Sequence, residues 1–517
     1  MRLNRNIFSI GLLIGALAWT LWFVFAGFGN HQDPLYWLYK YEHLEGGWMA
    51  IGTLLTGGAI VKIFGAQLLP LRLFGWFCTV TAIALPYGCL LNPPQRRENL
   101  HWLALTYFLM GYGTFQEFSP GTLTVLLLSA LWVCAVRSQI ANHKFEILTA
   151  IILGFAVAAR FPNVLALLIL IPLWKKRCLW NIPIAAVSAG IVYLLGYIFV
   201  TPAPMDAAMT ASHEFIRMIT KLWENGGQLV GFMLMAAGVV AIGHFQSSLR
   251  IKQSSKIVGL LVGLSLVYFV WFTTKPQQWY NIDITYLVSA FCIVIAIYAQ
   301  INQQPSYILM GTAILMIATL GTDTGWLKLF PAVLCLLPVA TTVYTKSERN
   351  YLWWVMALLG IVVAIRMSTN SVGQSDLHKA TTFATVAPYK GIAIQPEEQN
   401  RLQQYIADYD SLSNLYQQTS IMSLGQEMHL MRAVIGCDAA RYNEFWSNIF
   451  DSVYTAKYQP IIVEEHPIVF CSYTPQFKTQ KTYHDGASKM EQMFAKEGYT
   501  PLNRSEHKYI IYIPDKP

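Results

Sequence analysis

Long apolar runs recur along the first two thirds of the chain, and charged residues are confined to the short stretches between them. Crossing a bilayer core about 30 Å thick requires about 20 apolar residues per helix. Only 12% of the residues are charged, whereas about 25% is typical of soluble domains. The chain is therefore predicted to be an α-helical polytopic membrane protein with about 13 transmembrane helices, at 7–28, 70–91, 101–113, 120–136, 145–159, 163–174, 179–200, 226–245, 257–274, 284–300, 307–321, 327–344 and 351–367.

The apolar pattern stops near residue 367. Residues 1–365 carry 22 Lys and Arg against 12 Asp and Glu, whereas residues 366–517 carry 14 against 16. Residues 1–367 are therefore predicted to form a transmembrane domain and 368–517 a small soluble α/β domain. Its predicted helices are 395–408, 425–436, 441–456 and 486–497, and its predicted strands are 418–424, 460–473 and 508–514.

The loop charges orient the chain. With the N-terminus in the cytoplasm, the cytoplasmic loops hold 14 basic and 3 acidic residues, and the opposite loops hold 8 and 9. Basic residues prefer cytoplasmic loops, and an odd number of spans places the soluble domain outside the cytoplasm. In that compartment Cys437 and Cys471 form either a disulfide or two unpaired buried thiols.

The first external loop, residues 29–69, carries the strongest candidate site. Asp33 lies just beyond the first span, with His31 before it and an aromatic stretch after it. An acid beside apolar spans is a candidate for function, although Asp33 would also suit a helix start. The Gly-rich run 48–65 is predicted to be an interfacial or re-entrant helix, so it is not counted as a span.

Other polar residues are predicted at the same external face. Arg72 either anchors its span at headgroup level or binds a phosphate, and Arg160 stands between two apolar runs without basic neighbours. Aromatic and amide groups in the loop 273–283 suit either sugar recognition or an interfacial aromatic belt. The remaining candidates for substrate contact are Glu117, Lys275, Gln278, Tyr280 and Asp323.

Soluble-enzyme motifs are lacking in the sequence. It has no phosphate-binding glycine loop, no His-Glu-x-x-His motif, no nucleophile elbow and no paired-cysteine metal site. Its basic residues cluster as topology signals, which argues against nucleic-acid binding. A divalent metal is possible in principle, but no residue pattern indicates one.

Several short motifs resemble those of the GT-C superfamily of integral-membrane glycosyltransferases, of the bacterial protein O-mannosyltransferase and aminoarabinose lipid A transferase type. They are Asp33 in the first external loop, Phe64-Gly65, Leu71-Arg72-Leu73 and LGFAVAARFP at 153–162. The arrangement of a many-helix part followed by an external domain is similar too. One departure is that Pro34 follows Asp33 where many relatives have a second acid, which removes support for a diacidic metal site.

The resemblance implies an inverting glycosyltransferase at the outer face of the bacterial cytoplasmic membrane. The donor would be a sugar on a polyprenyl phosphate, and the acceptor a lipid-linked glycan, lipopolysaccharide or protein. Asp33 would be the base, and Arg72, Arg160 or Lys275 would neutralise the lipid phosphate. An O-antigen polymerase or ligase and a non-enzymatic transporter or flippase remain as alternatives, although the sequence shows none of the internal repeats typical of many transporters.

Overall fold

A computed structural model of the 517-residue chain describes most of the sequence. The described residues are 2–27, 32–110, 117–140, 143–202, 215–248, 255–273, 282–303, 306–320, 325–369, 377–415, 420–425, 428–435, 459–460, 462–472, 491–502 and 509–515.

The apolar runs form α-helices, because a helix satisfies its own backbone hydrogen bonds in an environment without water. Each of the thirteen predicted runs coincides with described helical residues. The helices are α1 (Arg2–Phe25), α2 (Gln32–His43), α3 (Ile51–Phe64), α4 (Leu68–Leu90), α5 (Pro93–Met110), α6 (Pro120–Ile140), α7 (His143–Ala159), α8 (Leu167–Trp174), α9 (Cys178–Phe199), α10 (Phe215–Ser248), α11 (Ser255–Thr273), α12 (Ile282–Gln303), α13 (Ser306–Met316), α14 (Leu329–Leu334), α15 (Leu337–Ala340) and α16 (Lys346–Thr369).

Among the described residues, six helical segments are long and apolar enough to cross a membrane, and shorter apolar helices accompany them. The chain is thus a polytopic helical membrane protein, which confirms the predicted class. The structure differs from the prediction in the stretch between the spans predicted at 179–200 and 226–245. There α10 already begins at Phe215 and runs for 34 residues, or about 51 Å, so it is longer than a bilayer core is thick.

The two ends of the helix bundle have different polar contacts. At one end, Arg177 pairs with Glu146 at 2.7 Å, and Arg349 pairs with Glu98 at 3.3 Å. These residues belong to the loops predicted to be cytoplasmic. At the other end lie the C-terminus of α1 and the N-terminus of α4, which are joined by a hydrogen bond from Arg72 to the carbonyl of Gly27. We call this second end the loop face.

Helix α3 has 14 residues and is about 21 Å long, too short to span about 30 Å of hydrocarbon. It packs against α2, α4, α7 and α9. Tyr41 of α2 lies directly over Gly57 of α3, where an added Cβ would come within 2.3 Å of the ring. Glycine is needed there because the two helices approach closely. Helix α13 is shorter still, with 11 residues, so the assignment of α3 as a non-spanning helix stays a prediction.

The first loop and the chain after α9 form a short parallel pair, β1 (Glu45–Gly46) with β2 (Thr201–Pro202).

The described C-terminal part combines helices with short strands. A hairpin pairs β3 (Thr382–Phe383) with β4 (Ala393–Ile394), and α17 (Pro396–Leu415) follows. A four-stranded sheet has the order β5-β6-β8-β7, formed by β5 (Ile421–Gly425), β6 (Ile468–Ser472), β7 (Tyr499–Leu502) and β8 (Tyr509–Pro514), with α18 (Met428–Ile435) after β5. Strands β5 and β6 are parallel, and the other pairs are antiparallel.

The structure corrects two details of this part. The strand predicted at 460–473 is only Ile468–Ser472, since 462–465 are helical and His466, at φ +42°, ends that turn before Pro467. Strand β7 was not predicted. The helix predicted at 441–456 lies outside the described residues.

One hydrophobic cluster joins the first loop to the C-terminal part. It contains Leu35 and Leu38 of α2, Leu68 of α4, Leu402 of α17 and Phe470 of β6. Helix α18 packs against α2. Burying apolar surface is favourable and independent of where the residues lie in the sequence. The first loop therefore shares its core with residues more than 300 positions away.

Candidate functional site

Two of the predicted site residues form an ion pair at the loop face. Nε of Arg72, near the start of α4, lies 3.6 Å from Oε1 of Glu117, and the two side chains are only 5% and 14% exposed. The Arg72 guanidinium also donates a hydrogen bond from Nη1 to the carbonyl of Gly27 at 2.9 Å. A buried charge is costly unless it is paired, and Glu117 supplies the counter-charge for Arg72 at this depth.

The Arg72 contact fixes the point where the first loop leaves α1. Gly27 has φ +93°, a conformation that glycine adopts without steric cost. An added Cβ at this position would lie 2.3 Å from Cδ2 of Leu377. Its amide donates to the carbonyl of Ala393 at 2.8 Å. The N–H and the C=O of Gly27 are thus both hydrogen-bonded, six residues before Asp33.

Asp33 is the second residue of α2, which begins at Gln32; its side chain lies outside the described part. The helix itself is anchored beside the ion pair. The hydroxyl of Tyr41 donates to the carbonyl of Phe118 at 3.2 Å, and the amide of Phe118 donates to the carbonyl of Leu71 at 2.9 Å. The residues next to Glu117 and Arg72 therefore contact the helix that carries Asp33.

Lys40 is a further candidate for the site, although the sequence indicated it only as a basic residue in an external loop. It is 4% exposed, and its ammonium lies 5.5 Å from the ring centroid of Tyr36 and 6.0 Å from that of Tyr39. These distances are typical of cation–π contacts. Lys40 follows Asp33 by seven residues, so both lie on the same side of α2. The spacing of Asp33, Tyr36 and Lys40 was the signal in the sequence.

Arg160 binds elsewhere on the loop face. Its Nη1 donates to the carbonyl of Ala318 at 2.8 Å, and its Nη2 donates to that of Leu320 at 2.6 Å. Arg160 is 9% exposed and links the end of α7 to the turn that follows α13. The preceding carbonyl, that of Ala159, accepts from Oγ1 of Thr53 at 2.9 Å. These contacts give Arg160 a structural role at the junction of α3, α7 and α13.

Tyr389 connects the ion pair to the C-terminal part. It lies in the hairpin between β3 and β4 and is completely buried. Burial raises the pKa of Tyr389 well above its ordinary value, the nearby Arg72 lowers it in part, and Glu117 raises it further. The phenol therefore stays protonated at neutral pH. This residue, in a segment predicted to belong to the soluble domain, shares a hydrophobic cluster with Leu68 and Leu71 of α4, the helix that carries Arg72.

Five predicted site residues lie outside the described part of the chain: His31, Lys275, Gln278, Tyr280 and Asp323. The same is true of Cys437, so the possible disulfide stays a prediction. Within the described ranges, no group of three or more His, Cys, Asp or Glu side chains is arranged to hold a metal ion.

Comparisons with known proteins find similar solved structures, including two of one protein. No protein-family model matches the chain, and no curated protein matches it. The crystal structure of ArnT from Cupriavidus metallidurans in the apo state has a similar overall fold, with 10% identity and a TM-score of 0.40, over 98% of this chain and 97% of that one. The structure of the same protein bound to undecaprenyl phosphate gives 9% identity and a TM-score of 0.38 over the same shares.

Proposed function

We propose that this protein is a membrane glycosyltransferase that moves a sugar from a polyprenyl-phosphate donor to an envelope acceptor. The observation that carries the proposal is the buried Arg72. Its Nε has no hydrogen-bond partner, it lies at the loop-face end of a membrane helix, and it is bound to the residue from which the Asp33 loop departs. A cation at that depth suits the phosphate of a lipid whose chain stays in the bilayer.

Asp33 and Arg72 have separate roles in the proposed reaction. An acceptor hydroxyl or amine attacks the anomeric carbon from the side opposite the phosphate, and its proton passes to the Asp33 carboxylate. The bond between the anomeric carbon and the phosphate oxygen breaks, and the polyprenyl phosphate leaves with the bonding pair. Arg72 stabilises the negative charge that develops on this oxygen. Attack from the opposite side inverts the anomeric configuration.

The other candidates receive supporting roles in this proposal. Lys40 lies on the Asp33 side of α2 and would attract the anionic donor. Arg160 holds the carbonyls of Ala318 and Leu320 and so fixes the turn that ends at Leu320. His31, Lys275, Gln278 and Tyr280 are proposed to contact the sugar or the acceptor. The acceptor is a lipid-linked glycan, lipopolysaccharide or protein.

We also propose the orientation and the domain division. Arg349 lies in a loop predicted to be cytoplasmic, and it contacts Glu98 in another such loop, which groups these loops at one end as the charge pattern requires. Residues 1–367 would then form the transmembrane catalytic domain and 368–517 the extracytoplasmic domain, with the N-terminus in the cytoplasm of a bacterium.

The test uses purified full-length protein in lipid nanodiscs with a panel of undecaprenyl-phosphate sugars. Mass spectrometry follows the release of undecaprenyl phosphate and the labelled acceptor. We expect Asp33→Asn to lower the rate roughly 100-fold or more, the usual contribution of a general base. Glu42→Gln is the matched control, because Glu42 is an exposed acid on the same helix.

Full activity of Asp33→Asn with normal expression would refute the assignment of the base. If no donor in the panel is consumed but the protein moves a lipid-linked sugar across the bilayer, the flippase alternative is correct. If the protein instead joins preassembled glycans from lipid-linked donors, the polymerase or ligase alternative is correct.

A further inference from the structure

Residues 377–394, which we call the clamp segment, fasten both ends of the first loop. The amide of Gly27, where the loop leaves α1, donates to the carbonyl of Ala393 at 2.8 Å. The amide of Leu68, where the loop enters α4, donates to the carbonyl of Pro388 at 2.9 Å. The clamp segment therefore holds both ends of the loop that contains Asp33.

Side chains reinforce both attachments. Leu377 is 4% exposed, and its Cδ2 occupies the space that Gly27 leaves by lacking a Cβ. Near the Leu68 end, a Cβ added to Gly391 would lie 3.4 Å from Cδ2 of Leu69, so the hairpin approaches the start of α4 closely. Tyr389 lies between these points, is completely buried and belongs to the hydrophobic cluster that contains Leu68 and Leu71 of α4. Leu71 directly precedes Arg72.

The clamp segment is itself held by the C-terminal part. The amide of Ala384 donates to the carbonyl of Ile392 at 2.9 Å, and that of Gly391 donates to the carbonyl of Ala384 at 3.0 Å, which closes the hairpin. Nε2 of Gln399 on α17 donates to Oγ1 of Thr385 at 2.8 Å. A continuous chain of hydrogen bonds thus runs from α17 through the hairpin to Gly27 and Leu68.

We infer that the clamp segment positions the catalytic loop, and that Tyr389 is a positioning residue for Arg72 and Asp33. This inference rests on the proposed function. Its physical basis is that a displacement of about 1 Å in a reacting group can lower a rate about 100-fold.

The experiment compares wild-type protein with Tyr389→Ala, Tyr389→Phe, Leu377→Ala and the control Lys390→Ala, all in nanodiscs. Lys390 is exposed in the same hairpin. Hydrogen–deuterium exchange is followed at peptides covering 20–35 and 64–75, and steady-state kinetics give kcat and the KM for the donor. Leu377→Ala provides a second way to loosen the clamp if Tyr389→Ala does not fold.

We expect Tyr389→Ala and Leu377→Ala to speed exchange in both peptides and to lower kcat roughly 10- to 100-fold with little change in donor KM. Tyr389→Phe, which keeps the packing of the ring, should show slow exchange and retain most of the activity. Lys390→Ala should behave as wild type.

Unchanged exchange at residues 20–35 in the folded Tyr389→Ala and Leu377→Ala variants would overturn the inference. So would faster exchange without a fall in kcat, or a rise in donor KM alone, which would make the clamp segment part of the donor site. A wild-type protein without transferase activity would refute the proposed function, while the exchange data alone would still decide whether the clamp segment holds the loop.

Discussion

Nε of Arg72 and Oε1 of Glu117 lie 3.6 Å apart, although the residues are 45 positions apart in sequence and both are largely buried. A second ion pair at the other end of the bundle, Arg349 with Glu98, has a similar distance of 3.3 Å, but its Glu98 side chain is 64% exposed. The two pairs differ mainly in burial, and this difference leads to the first prediction.

Glu117→Gln is expected to destabilise the protein by about 3 kcal/mol, because it leaves a buried guanidinium without its counter-charge. Glu98→Gln is expected to cost less than about 1 kcal/mol, as is usual for an exposed pair. Thermal unfolding of both variants in the same detergent measures the difference. Equal effects would show that burial does not control the value of these pairs.

Gly27→Ala is expected to cost at least about 1–2 kcal/mol, the penalty for a side chain in the left-handed region, with a further loss from the clash with Leu377. Adding Leu377→Ala should relieve the clash and leave the backbone strain. Gly15→Ala in α1 is the matched control, since an added Cβ there meets nothing within 4 Å and alanine favours the helix. A Gly27→Ala protein as stable as wild type would contradict the strain argument.

Tyr509→Phe is expected to destabilise the C-terminal part by about 2 kcal/mol, the usual contribution of a hydrogen bond to a charged group. The Tyr509 hydroxyl donates to Oδ2 of the buried Asp408 at 2.5 Å and so joins β8 to α17. Hydrogen exchange at α17 measures the loss. In a double-mutant cycle, Asp408→Asn should remove most of the additional effect of Tyr509→Phe; fully additive effects would refute a direct contribution of this bond.

The stability of the protein is expected to fall at high pH in a way that depends on Tyr389. Burial raises the pKa of Tyr389 in the folded state, so an unfolded tyrosine loses its proton first, at a pH near 10. Below that pH both states are protonated and this residue has no effect. Above it the folded state binds more protons, and stability decreases as pH rises.

Tyr389→Phe should therefore flatten the decline of the unfolding temperature between about pH 9 and pH 11. The comparison variant is Tyr409→Phe, at a partly exposed tyrosine of α17. An identical alkaline profile for Tyr389→Phe and wild type would show that this phenol does not control the effect.

The sequence allowed good prediction of features that depend on local composition. Thirteen apolar runs correspond to helices. The non-spanning assignment of α3 and the site roles of Arg72 and Glu117 stay predictions. The pairing of those two residues was not foreseen, because nothing in their local sequences encodes which distant element they will meet. Tyr389 was missed for the same reason, whereas the contacts of Lys40 with Tyr36 and Tyr39 are local and could have been predicted from their spacing.

The amino-acid sequence by itself determined that this protein is a helical membrane protein, because the free energy of transferring a segment into a bilayer depends chiefly on the residues within that segment. Only the tertiary structure decided that Glu117 neutralises Arg72, and that residues 377–394 hold Gly27 and Leu68. These contacts join positions that are far apart in the chain, and their formation depends on how all the intervening helices pack together.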